Sequence, residues 1–161
     1  MAVTYSQIAT QTLSSNVTSV TFAGIPGTYT DLVLIGNFAK TADSGSWFRV
    51  NSDSGSNYST TDVRGNGSSD SSGRDTNQTN GRYFRGLANT TADNFIVMQF
   101  MNYSNTTTYK TILTRGNNAN GAEANVNLWR STSAITEINL ITASGTYTSG
   151  SIFALYGIKA E

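Results

Sequence analysis

Chemistry in this sequence has to be built from few residue types. The chain has no cysteine and no histidine. That excludes disulfides, thiolate metal sites and thiol catalysis, and it removes the commonest general base and the commonest neutral metal ligand. Carboxylates, arginines, aromatics and amides remain. Asp70, Asp75 and Asp93 lie in polar stretches and Glu137 in a strand-like one. A glycosidase needs two carboxylates flanking one bond, one of them with a raised pKa. Nothing in the spacing sets any two of these acids that way, and they read as solvated groups.

The segment Asn51-Ser52-Asp53-Ser54-Gly55-Ser56-Asn57, with Asp62 beyond it, carries oxygen-bearing side chains at alternate positions, as a calcium loop does. It departs from that pattern: two of the alternating residues are neutral amides, the glycine falls one place early, and the closing residue is Asp rather than Glu. No metal is assigned. Gly65-Asn66-Gly67 lacks the strand, lysine and helix of a phosphate loop. The Asn-x-Ser/Thr triplets at Asn16, Asn57, Asn66, Asn77, Asn89, Asn102 and Asn105 are what this composition produces, and no secretory signal accompanies them. No catalytic residue and no cofactor is therefore expected, and the chain reads as a non-enzyme.

Contact with a partner is easier to imagine. Tyr58, Trp47, Tyr83, Phe84 and Trp129 could stack on sugar rings, with core packing as the alternative. For the two tryptophans, both within strand patterns, core or subunit interface is the preferred reading. Arg64, Arg74, Arg82 and Arg85 flank a long polar stretch and belong to a residue type enriched at interfaces. Tyr58, Arg64, Arg74, Arg82, Tyr83 and Arg85 are the candidate partner-contact residues.

The elements that must position these residues are strands. At 161 residues the chain makes one domain, long enough to bury about two-thirds of its unfolded surface. Its last stretch, Ser151 to Lys159, is apolar on both faces when extended, and so is the first half of Asp31 to Phe38. Both belong inside a sheet. Further strands are expected at residues 5–13, 16–22, 46–51, 94–103, 109–117, 124–130 and 135–141. The segments 94–103 and 109–117 should form an antiparallel pair. In Ile25-Pro26-Gly27, proline at the second position and glycine at the third predict a type II turn.

Residues 51–81 are almost all Ser, Gly, Asn, Asp, Thr and Arg, and read as a long polar loop, either interacting or merely flexible. A short strand around Tyr58 to Arg64 would shorten it. No helical period lasts three turns. About eight to ten short strands with Gly and Asn punctuation argue an all-β, jelly-roll-like antiparallel β-sandwich.

Lys plus Arg and Asp plus Glu are both 10, and only 12% of residues are charged. That leaves no basic excess for nucleic acid. Low charge density weakens repulsion between copies and favours a protein that works packed against others. No apolar run approaches the roughly 20 residues of a membrane span, and Met1-Ala2-Val3-Thr4-Tyr5-Ser6-Gln7 carries no signal-peptide pattern.

Several blocks together carry a resemblance. They are Ile25-Pro26-Gly27-Thr28-Tyr29-Thr30-Asp31-Leu32-Val33-Leu34, the run from Arg49 to Ser59, Met101-Asn102-Tyr103-Ser104-Asn105, Leu128-Trp129-Arg130-Ser131-Thr132 and Leu155-Tyr156-Gly157-Ile158-Lys159. Spread over nearly the whole chain, they resemble small jelly-roll virion proteins of tailed bacteriophages, especially those infecting cyanobacteria and other aquatic bacteria. Such proteins look like capsid cement or decoration proteins in some phages, and like tail-fibre or receptor-binding heads in others. The first strand starts almost at Met1 and the last ends near Glu161, which favours a self-contained cement protein over a fibre tip. The resemblance then implies a homotrimer added to a shell of major capsid protein, in a virion assembled in the host cytoplasm. The alternative partner is host surface polysaccharide.

Overall fold

The computed structural model describes residues 4–85 and 92–159. Among them the chain forms β1 (Tyr5–Thr12), β2 (Ser19–Ala23), β3 (Asp31–Phe38), β4 (Ser46–Val50), β5 (Tyr58–Gly65) and β6 (Asp70–Gln78). β7 (Gly81–Phe84), β8 (Asn94–Phe100), β9 (Lys110–Asn118), β10 (Gly121–Trp129), β11 (Glu137–Thr142) and β12 (Ile152–Ile158) follow. They make two sheets, with strand orders β1-β12-β3-β8-β9-β10-β5-β6 and β2-β11-β4-β7. Every pairing is antiparallel. The chain crosses repeatedly from one sheet to the other, and the two inner faces close on a single core. The protein is an all-β sandwich of the jelly-roll kind.

Alternation explains the core. β3 sends Leu32, Leu34 and Phe38 inward, β8 sends Ile96, Met98 and Phe100, and β12 sends Phe153 and Leu155. The small sheet answers with Val20, Phe22, Phe48, Val50, Ile138 and Leu140. Phe38 sits at the centre of an aromatic cluster, stacked on Phe153 and edge-on to Tyr83, Phe84 and Tyr147. Edge-on and offset geometry suits the ring quadrupole, which adds to what the buried area alone contributes. Both β3 and β12 lie inside the large sheet, as their two apolar faces require.

Two expectations need correction. Residues 51–81 are not one long loop: after the turn at 51–57, β5 stands where a short strand at Tyr58 to Arg64 was expected, and β6 is an additional strand. β5 and β6 form a hairpin paired from Tyr58↔Gln78 to Gly65↔Asp70. Its tip is closed by the Asn66 side chain, whose Oδ1 accepts the backbone N–H of Ser68 at 3.1 Å and of Ser69 at 2.8 Å. β6 contains no apolar residue, so apolar alternation could not reveal it; as the edge strand of its sheet it does not need one. The turn at Pro26 is the second. Gly27 is absent from the residues with positive φ, so the backbone there is not type II. The carbonyl of Pro26 is instead tied to the hydroxyl of buried Tyr103.

Candidate functional site

The two outer faces of the sandwich differ. On the small sheet the outward residues are mixed: Ser19, Thr21, Arg49 and Asn139 are polar, with Asn139 Nδ2 donating to Thr21 Oγ1 at 2.5 Å, while Trp47 and Ile141 pair beside them half-buried. The large sheet reverses the usual polar-out rule along β10. There Glu123, Asn125, Asn127 and Trp129 point inward and are buried, while Ala122, Ala124, Val126 and Leu128 face outward.

The inward polar set has a definite task. β7 is the edge strand of the small sheet, and one side of it has no neighbouring strand. The side chains of β10 serve in its place. Asn127 Oδ1 accepts from Arg82 N and its Nδ2 donates to Arg82 O, both at 2.9 Å. Asn125 Nδ2 donates to Tyr83 O at 3.3 Å, and the Glu123 carboxylate accepts from Arg85 N at 2.8 Å. Backbone groups that would otherwise be buried without partners are thereby satisfied. Burial pushes the Glu123 carboxyl up, against the hydrogen bonds from Arg85 and Asn125 that favour its charge.

Beside this ladder lies an ionic cluster. Arg85 Nε donates to Asp62 Oδ1 at 2.6 Å and its Nη2 to Asp75, which Arg82 Nε also contacts at 2.8 Å. Arg64 stands 3.7 Å from the second oxygen of Asp62. Gly73 of β6 leaves room for the pair, because a Cβ there would lie 2.7 Å from Asp62 Oδ1.

With the polar residues turned in, the outward apolar ones line up across strands. Register places Val63, Ala124, Arg115, Val97, Ile35 and Ala154 in one row. The next row holds Val126, Leu113, Gln99, Val33 and Tyr156. Val63, Val126, Phe95 and Leu113 are 59%, 52%, 42% and 37% exposed, so the face is open as well as apolar. It is dished into two adjoining depressions of about 670 and 300 Å³ that share Val63, Val97, Arg115 and Ala124. This face is the candidate functional site.

The residues singled out from sequence fall mostly elsewhere. Tyr58 and Tyr83 are fully buried, so they are core side chains and not partner contacts. Their aromatic bulk was taken for a surface because they lie within and beside the polar stretch whose second half, β6, did not read as a strand. Tyr58 Oη donates to Asp53 O at 3.2 Å, and Tyr83 shares a hydroxyl contact with Tyr147. Arg82 and Arg85 are committed to the ionic cluster, and Arg64 Nε donates to Ser71 Oγ at 2.8 Å. Arg74 stays exposed on the outer side of β6. Trp129 is buried, and Trp47 lies beneath the Arg82 guanidinium, 5.9 Å from ring centre to carbon.

The calcium-like stretch is a folded turn. Asp53 accepts from Gly55 N at 2.8 Å, Asn57 Nδ2 at 2.9 Å and Trp129 Nε1 at 2.6 Å. Burial alone would raise its carboxyl, but those three hydrogen bonds outweigh burial and hold it below its ordinary range. Of the loose acids, Asp75 is ion-paired and Glu137 accepts from Ser52 Oγ at 2.6 Å. The apolar outer face itself was missed. Its one sequence signal was that Trp129 shares a side with Glu123, Asn125 and Asn127, so the aromatic and the aliphatic residues of β10 could not both go inside.

No family model matches the chain, and no curated protein matches it. Solved structures with some likeness include an exo-inulinase from Aspergillus awamori, at 10% identity and TM-score 0.48, with 96% of this chain and 29% of that chain covered. The chain thus spans less than a third of that protein. Galectin LEC-6 from Caenorhabditis elegans is similar at 10% identity and TM-score 0.38, covering 94% of this chain and 96% of its own. A PL-14 alginate lyase from Aplysia kurodai is similar at 9% identity and TM-score 0.36, over 83% and 70% respectively.

Proposed function

We propose that this chain is a non-catalytic structural module of a phage virion, a cement or decoration protein that works by packing its large-sheet outer face against other protein. One observation carries the reading. An exposed sheet face in water is ordinarily polar, yet here valine, leucine and phenylalanine stand open across neighbouring strands while the amides and the acid of β10 are turned in. The low charge of the chain suits a molecule that spends its working life against neighbours. The virion setting comes from the sequence resemblance. In that setting the sandwich acts mechanically, adding buried area across joints between shell subunits. Immunogold electron microscopy of the parent particles tests it. Label over the shell is the expected result, and absence of the protein from particles would overturn it.

A second reading rests on one spot of the same face. Phe95 is 42% exposed and pairs across the ladder with Asn117, next to Arg115. An aromatic ring flanked by an amide and a guanidinium is a chemistry that suits a sugar ring and its hydroxyls. A receptor-binding module for host polysaccharide would use it. Binding of the purified protein to that polysaccharide, lost in Phe95→Ala, would favour this reading over cement.

A further inference from the structure

We infer that the outer face of the large sheet is an interface between two copies of this chain. The inference rests on the assembly role above and deepens it by naming what covers the face first. Three features point to a second copy. The patch is broad and continuous and not a single pocket: two adjacent rows run from Val63 and Val126 on one side to Ala154 and Tyr156 on the other.

Its size is the second. Strands about 4.8 Å apart and rising about 3.3 Å per residue give the whole eight-stranded face, with the apolar rows at its centre and polar β6 at its rim, roughly 800 Å². That is about the share each partner buries in a stable pair. A sheet of this kind can be covered whole by an identical sheet related by a two-fold axis, since the same patch then serves both sides.

The charge distribution is the third. In the centre of those rows the only charged residue is Arg115, Asp70 and Arg74 lie out at the β6 edge, and the chain as a whole has no net charge, so like copies do not repel. Arginine is also the charged type that interface cores retain. The small-sheet face is narrower, with four short strands, and breaks up its one apolar pair, Trp47 and Ile141, with Ser19, Thr21, Arg49 and Asn139.

Sedimentation velocity over a concentration series tests the inference directly. The wild-type chain is expected to associate, and Val126→Asp to weaken association about a hundredfold, because a carboxylate would then be buried without a partner. Thr21→Asp on the opposite face should leave it unchanged.

The chain has no cysteine, which gives a check independent of whether the Asp variant folds. A single Val126→Cys should react slowly with maleimide at high protein concentration and rapidly on dilution, while Asn139→Cys reacts rapidly throughout. A chain that stays monomeric at high concentration, or whose association ignores Val126, would overturn the pairing, and so would a monomer that instead binds polysaccharide through Phe95. Label on the virion would leave the assembly role standing in each of the first two cases. A dimer that is absent from particles would remove the assembly role and keep the interface.

Discussion

A buried carboxylate is tolerated only where its charge is met in place. Asp62 is fully buried, and Arg85 supplies the nearest cation at 2.6 Å, with Arg64 farther off. Arg85→Met keeps much of the aliphatic bulk and removes that charge. Urea unfolding is expected to show a loss of about 3 kcal/mol, and adding Asp62→Asn should recover most of it, since the stranded charge is then gone. Lys40 makes the opposite kind of test. Its Nζ donates to Ser44 Oγ at 2.9 Å and Ser46 Oγ at 3.1 Å, yet burial outweighs the attraction of Asp43 and lowers its pKa from 10.5 to about 8. Between those two values the unfolded chain holds more protons than the folded one, so this group makes stability rise as pH rises from about 8 towards 10.5. Melting midpoints of wild type and Lys40→Met compared at pH 7.5 and 9.5 should differ more in favour of wild type at the higher pH. An unchanged difference would refute the role of Lys40.

At the level of single strands, what a neighbour needs can be as important as what a residue prefers. Gly157 faces inward on β12 opposite Leu32, and a Cβ there would come within 2.3 Å of the Tyr29 ring. Gly157→Ala must displace Tyr29 from the loop between β2 and β3, at a cost of about 1–3 kcal/mol. A double-mutant cycle with Tyr29→Ala checks the cause, because the penalty should shrink once the ring is gone. The same dependence on distant neighbours set what could be read from sequence. β3 matched its expected bounds and β12 fell within its stretch, since each is apolar on both faces and such runs admit few other places. β6 could not be read because nothing in Asp70–Gln78 is apolar; it is held by its ladder to β5 and by Asp75 at the ionic cluster. β10 was recognised as a strand but not oriented. Its amides go inward to bond the backbone of β7, 45 residues away, and local alternation carries no record of that partner. The arginines looked like contact residues for a related reason: Asp62 and Asp75, which occupy two of them, sat in what read as a loop.

The molecule as a whole is closed by pairing its two ends. β1 runs alongside β12 from Tyr5↔Ile158 to Thr12↔Ile152, and β12 also pairs along its length with β3. Such pairings join residues far apart in sequence, so their loop-closure entropy is met only when the rest of the chain is in place, and folding should be slow for a protein of this size. Removing residues from Ser151 onward would leave β1 without its neighbour and expose one edge of β3 in mid-sheet. It would also take Phe153 and Leu155 out of the core beside Phe38 and Tyr147. Because β1 has no other partner in the large sheet, this defect cannot be confined to an end. A chain ending at Gly150 is therefore expected to lose its cooperative thermal transition, not merely to melt lower. A synthetic peptide of residues 151–159, added in excess, should restore that transition by supplying the missing strand, as strand addition to an open sheet edge does elsewhere. Circular dichroism melts with and without the peptide decide the matter. A truncated chain that melts cooperatively on its own would show that the sandwich is held by its inner strands alone and that closure by the termini is secondary.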